Sequence, residues 1–210
     1  MKSKYFFFVG VIVVVGLVMI YSLSDQSLSK DYIKQIEEQR EEKDNFFLKN
    51  SQSPLSSTQK EKFSGLKYYQ PDITYRTEAI VERFKLKEFV SMTTSTGNIQ
   101  QYLKYGKAVF NLKGKRLELL LLKSVRPMPG QSSKTIFIPF TDVTSGRATY
   151  GAGRYIDIEI NEQQTTIEID FNRAYNPYCA YNDIYECPIP PAENYLDVEV
   201  LAGEMLFKEL

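Results

Sequence analysis

Two short stretches concentrate the side chains that could do chemistry. The first, "TSGRATYGAGR" from Thr144 to Arg154, holds three glycines and two arginines. Glycines let backbone N–H groups converge on an anion, and an arginine fork matches carboxylate or phosphate bidentately. Arg147 and Arg154 are therefore candidate ligand contacts. The stretch is not a phosphate-binding P-loop, because the lysine, the spacing and the following helix are missing. An ordinary glycine-rich turn whose arginines pair with local acids is the competing reading. The second stretch, "FNRAYNPYCAYNDIYECPIPPAEN" from Phe171 to Asn194, packs four tyrosines, four prolines and four asparagines around two cysteines. Asp170 immediately precedes it, at a strand end where side chains can turn toward a site.

Cys179 and Cys187, with seven residues between them, are the chain's two cysteines, and there is no histidine. Without histidine the commonest neutral-pH base and metal ligand is gone, along with Ser-His-Asp and Cys-His catalysis. Two cysteines fall short of the four ligands of a structural zinc site, so no metal or cofactor is expected. Free structural thiols and a reactive thiol are the alternatives to a disulfide between Cys179 and Cys187, which is the expected state in an exported domain. Charge is balanced, with 26 basic and 26 acidic side chains, and gives no field to attract nucleic acid.

These groups need elements to position them. The run Tyr5–Leu23 is uncharged and rich in Phe, Val and Ile, close to the ~20 residues that cross a bilayer, and Lys2 and Lys4 precede it. It predicts a single-pass signal anchor over residues 1–27, with the remainder on the periplasmic or cell-surface side; secretion after cleavage is the alternative. Residues 28–65 read as a helical spacer and linker. In "SKDYIKQIEEQREEKDNFFL" the charged text is free of Gly and Pro, and its apolar end at Phe46 and Phe47 is expected to dock on the domain. Ser56 and Gln59 form a capping box for a short second helix.

Residues 66–210 read as a β-rich domain. Strands are expected near 74–84, 88–94, 99–112, 115–125 and 135–140, then at "RYIDIEIN", "TTIEIDFN" and "YLDVEVL". Lys113-Gly114 marks a tight hairpin turn. The short polar gap between "RYIDIEIN" and "TTIEIDFN" predicts that these two also pair, placing Arg154 and Asp170 at one end of a hairpin. The fold class is thus mainly β, an antiparallel sandwich or partly closed barrel preceded by a transmembrane helix and a solvated helix.

The blocks "PFTDVTSGRATYGAGRYIDIEI" and "IDFNRAYNPYCAYNDIYECPIPPAENYLDVEVLAGEM" resemble a bacterial and archaeal family known as domain of unknown function 1684. "EEKDNFFLKNSQSPLSS", "FSGLKYYQPD" and "TSTGNIQQYLKYGK" extend the likeness, which runs from about Lys43 to Met205. The resemblance implies a fold and no activity. It implies site residues where its pattern is polar without an evident folding reason: Asp142, Ser145, Gly146, Arg147, Tyr150, Gly151, Gly153, Arg154 and Tyr155, then Asp170, Asn172, Arg173, Asn176, Cys179, Cys187, Glu193 and Asn194. Tyr178 stands where the family commonly has proline.

Together these readings predict a polar pocket between the two loops that binds a small anionic or polyhydroxylated ligand, with Arg147, Arg154 and Arg173 as donors and Tyr150 and Tyr175 as walls. A cell-envelope hydrolase with Asp170 or Glu193 as base, stabilised by arginine, is the rival. A purely structural envelope protein is the third reading.

Overall fold

The computed structural model describes residues 29–125, 132, 134–161 and 163–207. A helix, α1, covers residues 29–49. A short helix follows, α2 (Ser57–Lys62), closed by the expected capping box between Ser56 and Gln59. Seven strands then form one sheet: β1 (Arg76–Thr93), β2 (Ile99–Leu112), β3 (Lys115–Ser124), β4 (Thr135–Asp142), β5 (Arg154–Glu159), β6 (Thr166–Asp170) and β7 (Tyr195–Leu196).

The path through the sheet is β5-β4-β3-β2-β1-β6, all antiparallel, with β7 added parallel to β4. The expected hairpin at Lys113-Gly114 is present: both residues take positive φ, and β2 and β3 pair from Leu112↔Lys115 outward. The two strands expected over 74–94 are one long strand, β1, whose register with β2 shifts between Arg83 and Glu88. Gly106 faces that irregularity. A Cβ there would lie 2.5 Å from the Glu82 carbonyl, so the strand crossing requires glycine.

The expected pairing of "RYIDIEIN" with "TTIEIDFN" is corrected. β5 pairs with β4, β6 pairs with β1, and the two strands lie at opposite ends of the path. Sequence neighbours usually pair, but a sheet that curls into a barrel brings its end strands together without needing them to share a ladder. The connection after β5 crosses this seam. Arg83 latches it by donating from Nη2 to the carbonyls of Asn161 and Gln164 at 3.3 and 2.9 Å, and the Val81 N–H donates to Thr165 O at 2.8 Å. The result is a nearly closed antiparallel barrel.

Its interior follows from alternation. Ala79, Ala108, Phe110, Leu119, Leu121, Ile138, Ile156, Ile169 and Phe171 fill one continuous core. On β3 the intervening Leu120 and Leu122 are also buried, in a second cluster with Met92, Phe137 and Tyr155 on the outer face. A third cluster seats α1. Phe47 packs edge-on against Tyr181 with ring centroids 4.9 Å apart, alongside Leu55, Phe63 and Phe207.

No helix among the described residues is long and apolar enough to cross a membrane. This corrects the transmembrane helix in the expected fold class, and with it the single-pass membrane localisation drawn from that helix. The segment from which the anchor was read, Tyr5–Leu23, lies outside the described residues, as do residues 126–131 of "RPMPGQSS". α1 itself is amphipathic, with Tyr32, Ile36 and Phe47 buried against the barrel and charged residues on its outer face.

Candidate functional site

Arg154 is a buried, multiply bonded cation. Its side chain and that of Asp142 are fully enclosed, with Nη2 and Oδ1 3.4 Å apart. Nη2 also donates to Val200 O at 3.0 Å, and Nη1 donates to the carbonyls of Ala202 and Glu204. Asp142 accepts in addition from Val200 N at 2.8 Å and from the Thr144 hydroxyl. Burial pulls the guanidinium below its ordinary value, and Asp142 opposes that pull. Arg154 is thus a staple between β5 and the extended segment 200–204.

Asn194 does related work. It bonds both backbone groups of Leu120 and the carbonyl of Pro139, where β3 and β4 share a single register pair, Leu122↔Phe137. Asn176 donates its backbone N–H to Glu204 and its amide to Met205 O, each at 2.8 Å. These polar residues of the family pattern have a folding reason that only the tertiary structure displays.

Asp170 caps the 3-10 turn Phe171–Arg173. Its oxygens accept from the Tyr32 hydroxyl at 2.8 and 2.9 Å, from Asn172 N at 3.0 Å, and stand 3.4 Å from Arg173 Nε. Asn172 in turn joins Tyr32 to the backbone of Asp72. α1 is thereby tied to the barrel end. Asp170 and Arg154 do not bond to each other. The two segments do meet farther along, where Tyr155 and Tyr175 exchange backbone hydrogen bonds at 2.8 and 3.0 Å. Arg147 is exposed on the turn, and Glu193 is exposed beside a separate cavity of about 220 Å³. There Lys107 is paired with Glu118 at 3.0 Å and Lys104 stands 3.9 Å from Glu88.

The expected disulfide is also corrected. Cys179 and Cys187 are free and buried. The Cys179 N–H donates to Cys187 Sγ at 3.1 Å, and the Tyr150 hydroxyl donates to Cys179 Sγ at 3.7 Å, so both sulfurs serve as hydrogen-bond acceptors. The hydrogen bond with the Cys187 thiol, helped by that from Tyr150, lowers the Cys179 thiol to about 6, while the same pairing with the Cys179 side chain, together with burial, raises Cys187. Tyr150 sits beside this thiol pair and is not on the lining of the cavity between α1 and the barrel end. Among the described residues no three Cys, Asp or Glu side chains converge as metal ligands.

The cavity with unsatisfied polar groups lies between α1 and the barrel end. It has a volume of about 200 Å³ and is lined by Ile36, Gln39, Arg40, Lys43, Tyr68, Asn172, Arg173, Ala174, Tyr175 and Glu204. Segment 67–69 bonds to 203–205, with Tyr69 N donating to Gly203 O and Met205 N to Lys67 O, which sets Tyr68 opposite Glu204. Gly203 lets the same segment pass close to the 171–174 turn: it has φ 76°, and a Cβ there would lie 2.6 Å from Ala174 O. Buried Glu204 accepts from Lys43, Asn176 N and the Tyr181 hydroxyl.

Arg40 is different from all of these. Nη1 donates to Tyr69 O at 2.9 Å and the guanidinium lies over the Tyr68 ring, 4.5 Å from its centroid. Nε and Nη2 are buried with no hydrogen-bond partner among the described residues, as is the Tyr68 hydroxyl. Burial lowers Arg40 from its ordinary value and, with Glu204 and Asp44 adding to it, holds the Tyr68 phenol well above its own. Tyr68 is therefore a protonated donor.

Of the residues expected from sequence, Asn172 and Arg173 line this cavity, with Tyr175 as a wall. Arg40, Lys43, Tyr68 and Glu204 were not anticipated. The signal for two of them was in the helix: Tyr32, Ile36, Arg40, Lys43 and Phe47 follow the 3.6-residue period of one face, so two cations interrupt a buried stripe.

A solution NMR structure of an uncharacterized protein from Haloarcula marismortui resembles this fold with a TM-score of 0.65 and 36% identity, over 85% of this chain and 96% of that one. No curated protein matches the chain. The family described as protein of unknown function (DUF1684) matches residues 61–205. That span exceeds half of the sequence, and the protein belongs to the DUF1684 family.

Proposed function

We propose that this protein is a binding module for a small anionic ligand, held in the cavity between α1 and the barrel end. One observation carries the reading: Arg40 lines the cavity while two of its donors, Nε and Nη2, are buried without a partner. A buried unpaired donor costs roughly 1–3 kcal/mol, more when charged, so such a group in a folded protein calls for an explanation. An anion supplies one. Lys43 and Arg173 lie on the same lining, each in contact with a carboxylate, and Asn172 and Tyr68 add neutral polar groups.

The test is native mass spectrometry of the full chain as purified, followed by calorimetric titration with benzoate, acetate, inorganic phosphate and sulfate. One small anion per chain is expected, with binding abolished in Arg40→Gln. Failure of every anion to bind, or binding indifferent to Arg40→Gln, would overturn the proposal.

A further inference from the structure

The cavity also constrains the chemistry of its ligand, an inference that rests on the anion-binding reading. The guanidinium of Arg40 is enclosed from two directions: the Tyr68 ring covers one face, and the Tyr69 carbonyl takes Nη1. The edge left over is the one formed by Nε and Nη2. Two parallel N–H groups on that edge match two coplanar oxygens of a single group, the side-on fork by which arginine recognises a carboxylate.

Charge narrows the class. The lining holds three cations. Lys43 is paired with Glu204, and Arg173 stands 3.4 Å from Asp170, so among the described residues Arg40 alone of the three has no carboxylate in ion-pair contact. One uncompensated positive charge suits a monoanion. A phosphate dianion would bring a second charge into the cavity without a matching cation, and an unpaired buried charge is strongly unfavourable.

Size and lining narrow it further. At about 200 Å³ the cavity falls below the ~300–1,000 Å³ of sites for drug-sized ligands and above the ~150 Å³ that holds benzene. Ile36, Ala174 and the rings of Tyr68 and Tyr175 contribute apolar wall. The Tyr68 hydroxyl, also unpartnered, adds one neutral donor.

From these observations we infer that the ligand is a small monocarboxylate with an apolar, ring-sized body, its carboxylate on the Nε–Nη2 edge of Arg40 and its body against Ile36, Ala174 and the tyrosine rings. The fork sets the orientation, and the apolar walls set the preference for a ring over a shorter acid.

Titration of the full chain with benzoate, acetate, benzyl alcohol, phenyl phosphate and inorganic phosphate tests this. Benzoate should bind at least ~10-fold more tightly than acetate, since removing the ring forfeits its apolar contact with the walls. Benzyl alcohol should not bind measurably. Arg40→Lys keeps the charge and loses the fork, and should weaken benzoate by ~10-fold or more. Tyr68→Phe, which leaves the ring in place, should weaken it by a few-fold, with unfolding curves confirming that both variants are folded. If phenyl phosphate or inorganic phosphate binds at least as tightly as benzoate, the carboxylate class is wrong while the anion site stands. If no compound in the panel binds, both fall.

Discussion

Arg154 and Arg40 are two arginines in closed surroundings, each with its guanidinium against an aromatic ring, Phe140 at 5.3 Å and Tyr68 at 4.5 Å. Arg154 has both terminal nitrogens filled: it pairs with Asp142 and donates to three carbonyls of 200–204, and of its nitrogens Nε alone is unpartnered. Arg40 makes one hydrogen bond, to Tyr69 O, and beside the cavity it leaves two donors without partners. The contrast separates two uses of one residue type. A buried cation bonded to its counter-ion specifies how segments join, whereas an under-bonded one beside a cavity holds capacity for something else.

Stability measurements can break this comparison. The largest effect is expected from Arg154→Met. It strips Asp142 of its cation and three carbonyls of their donor, and breaking a buried pair on one side costs about 3–5 kcal/mol. Urea unfolding followed by circular dichroism reads the loss; a change under about 1 kcal/mol would remove Arg154 from its role as a staple. The smaller effect is expected from Arg40→Met. One hydrogen bond is lost, but the desolvation of an under-bonded cation goes with it, and the methionine fills apolar space near Ile36. Stability should stay within about 1 kcal/mol of wild type in the absence of ligand. A loss matching that of Arg154→Met would make Arg40 a second staple.

Legibility in the sequence tracks the range of the interactions. The Lys113-Gly114 turn and the alternation along β2 and β3 are local, and the hairpin they predict is present. The partners of β5 and β6 are not local. Their alternating patterns identify strands with one buried face, yet nothing within either segment distinguishes pairing with each other from pairing with β4 and β1 across a closing barrel. The polar motif residues mislead for a related reason. Asp142, Arg154, Asn176 and Asn194 find their partners at 120, 139, 142 and 200–205, far enough along the chain that their folding role is invisible locally.

The disulfide expectation leans on an exported context drawn from the N-terminal run, and the structure has both cysteines as free thiols. On α1 the information is present and needs a different question. A search for apolar periodicity finds Ile36 and Phe47, whereas a search for charges on the apolar stripe finds Arg40 and Lys43 as well.

The central claim is that Arg40, unlike Arg154, presents its Nε–Nη2 edge to a ligand. The most direct test is the side-chain nitrogen–proton NMR correlation of the two arginine Nε–H groups in the full chain, followed as benzoate is added. The account predicts a saturable shift of the Arg40 signal with the Arg154 signal unmoved. An Arg40 signal that stays in place at saturating benzoate, or an Arg154 signal that moves in its stead, would contradict it.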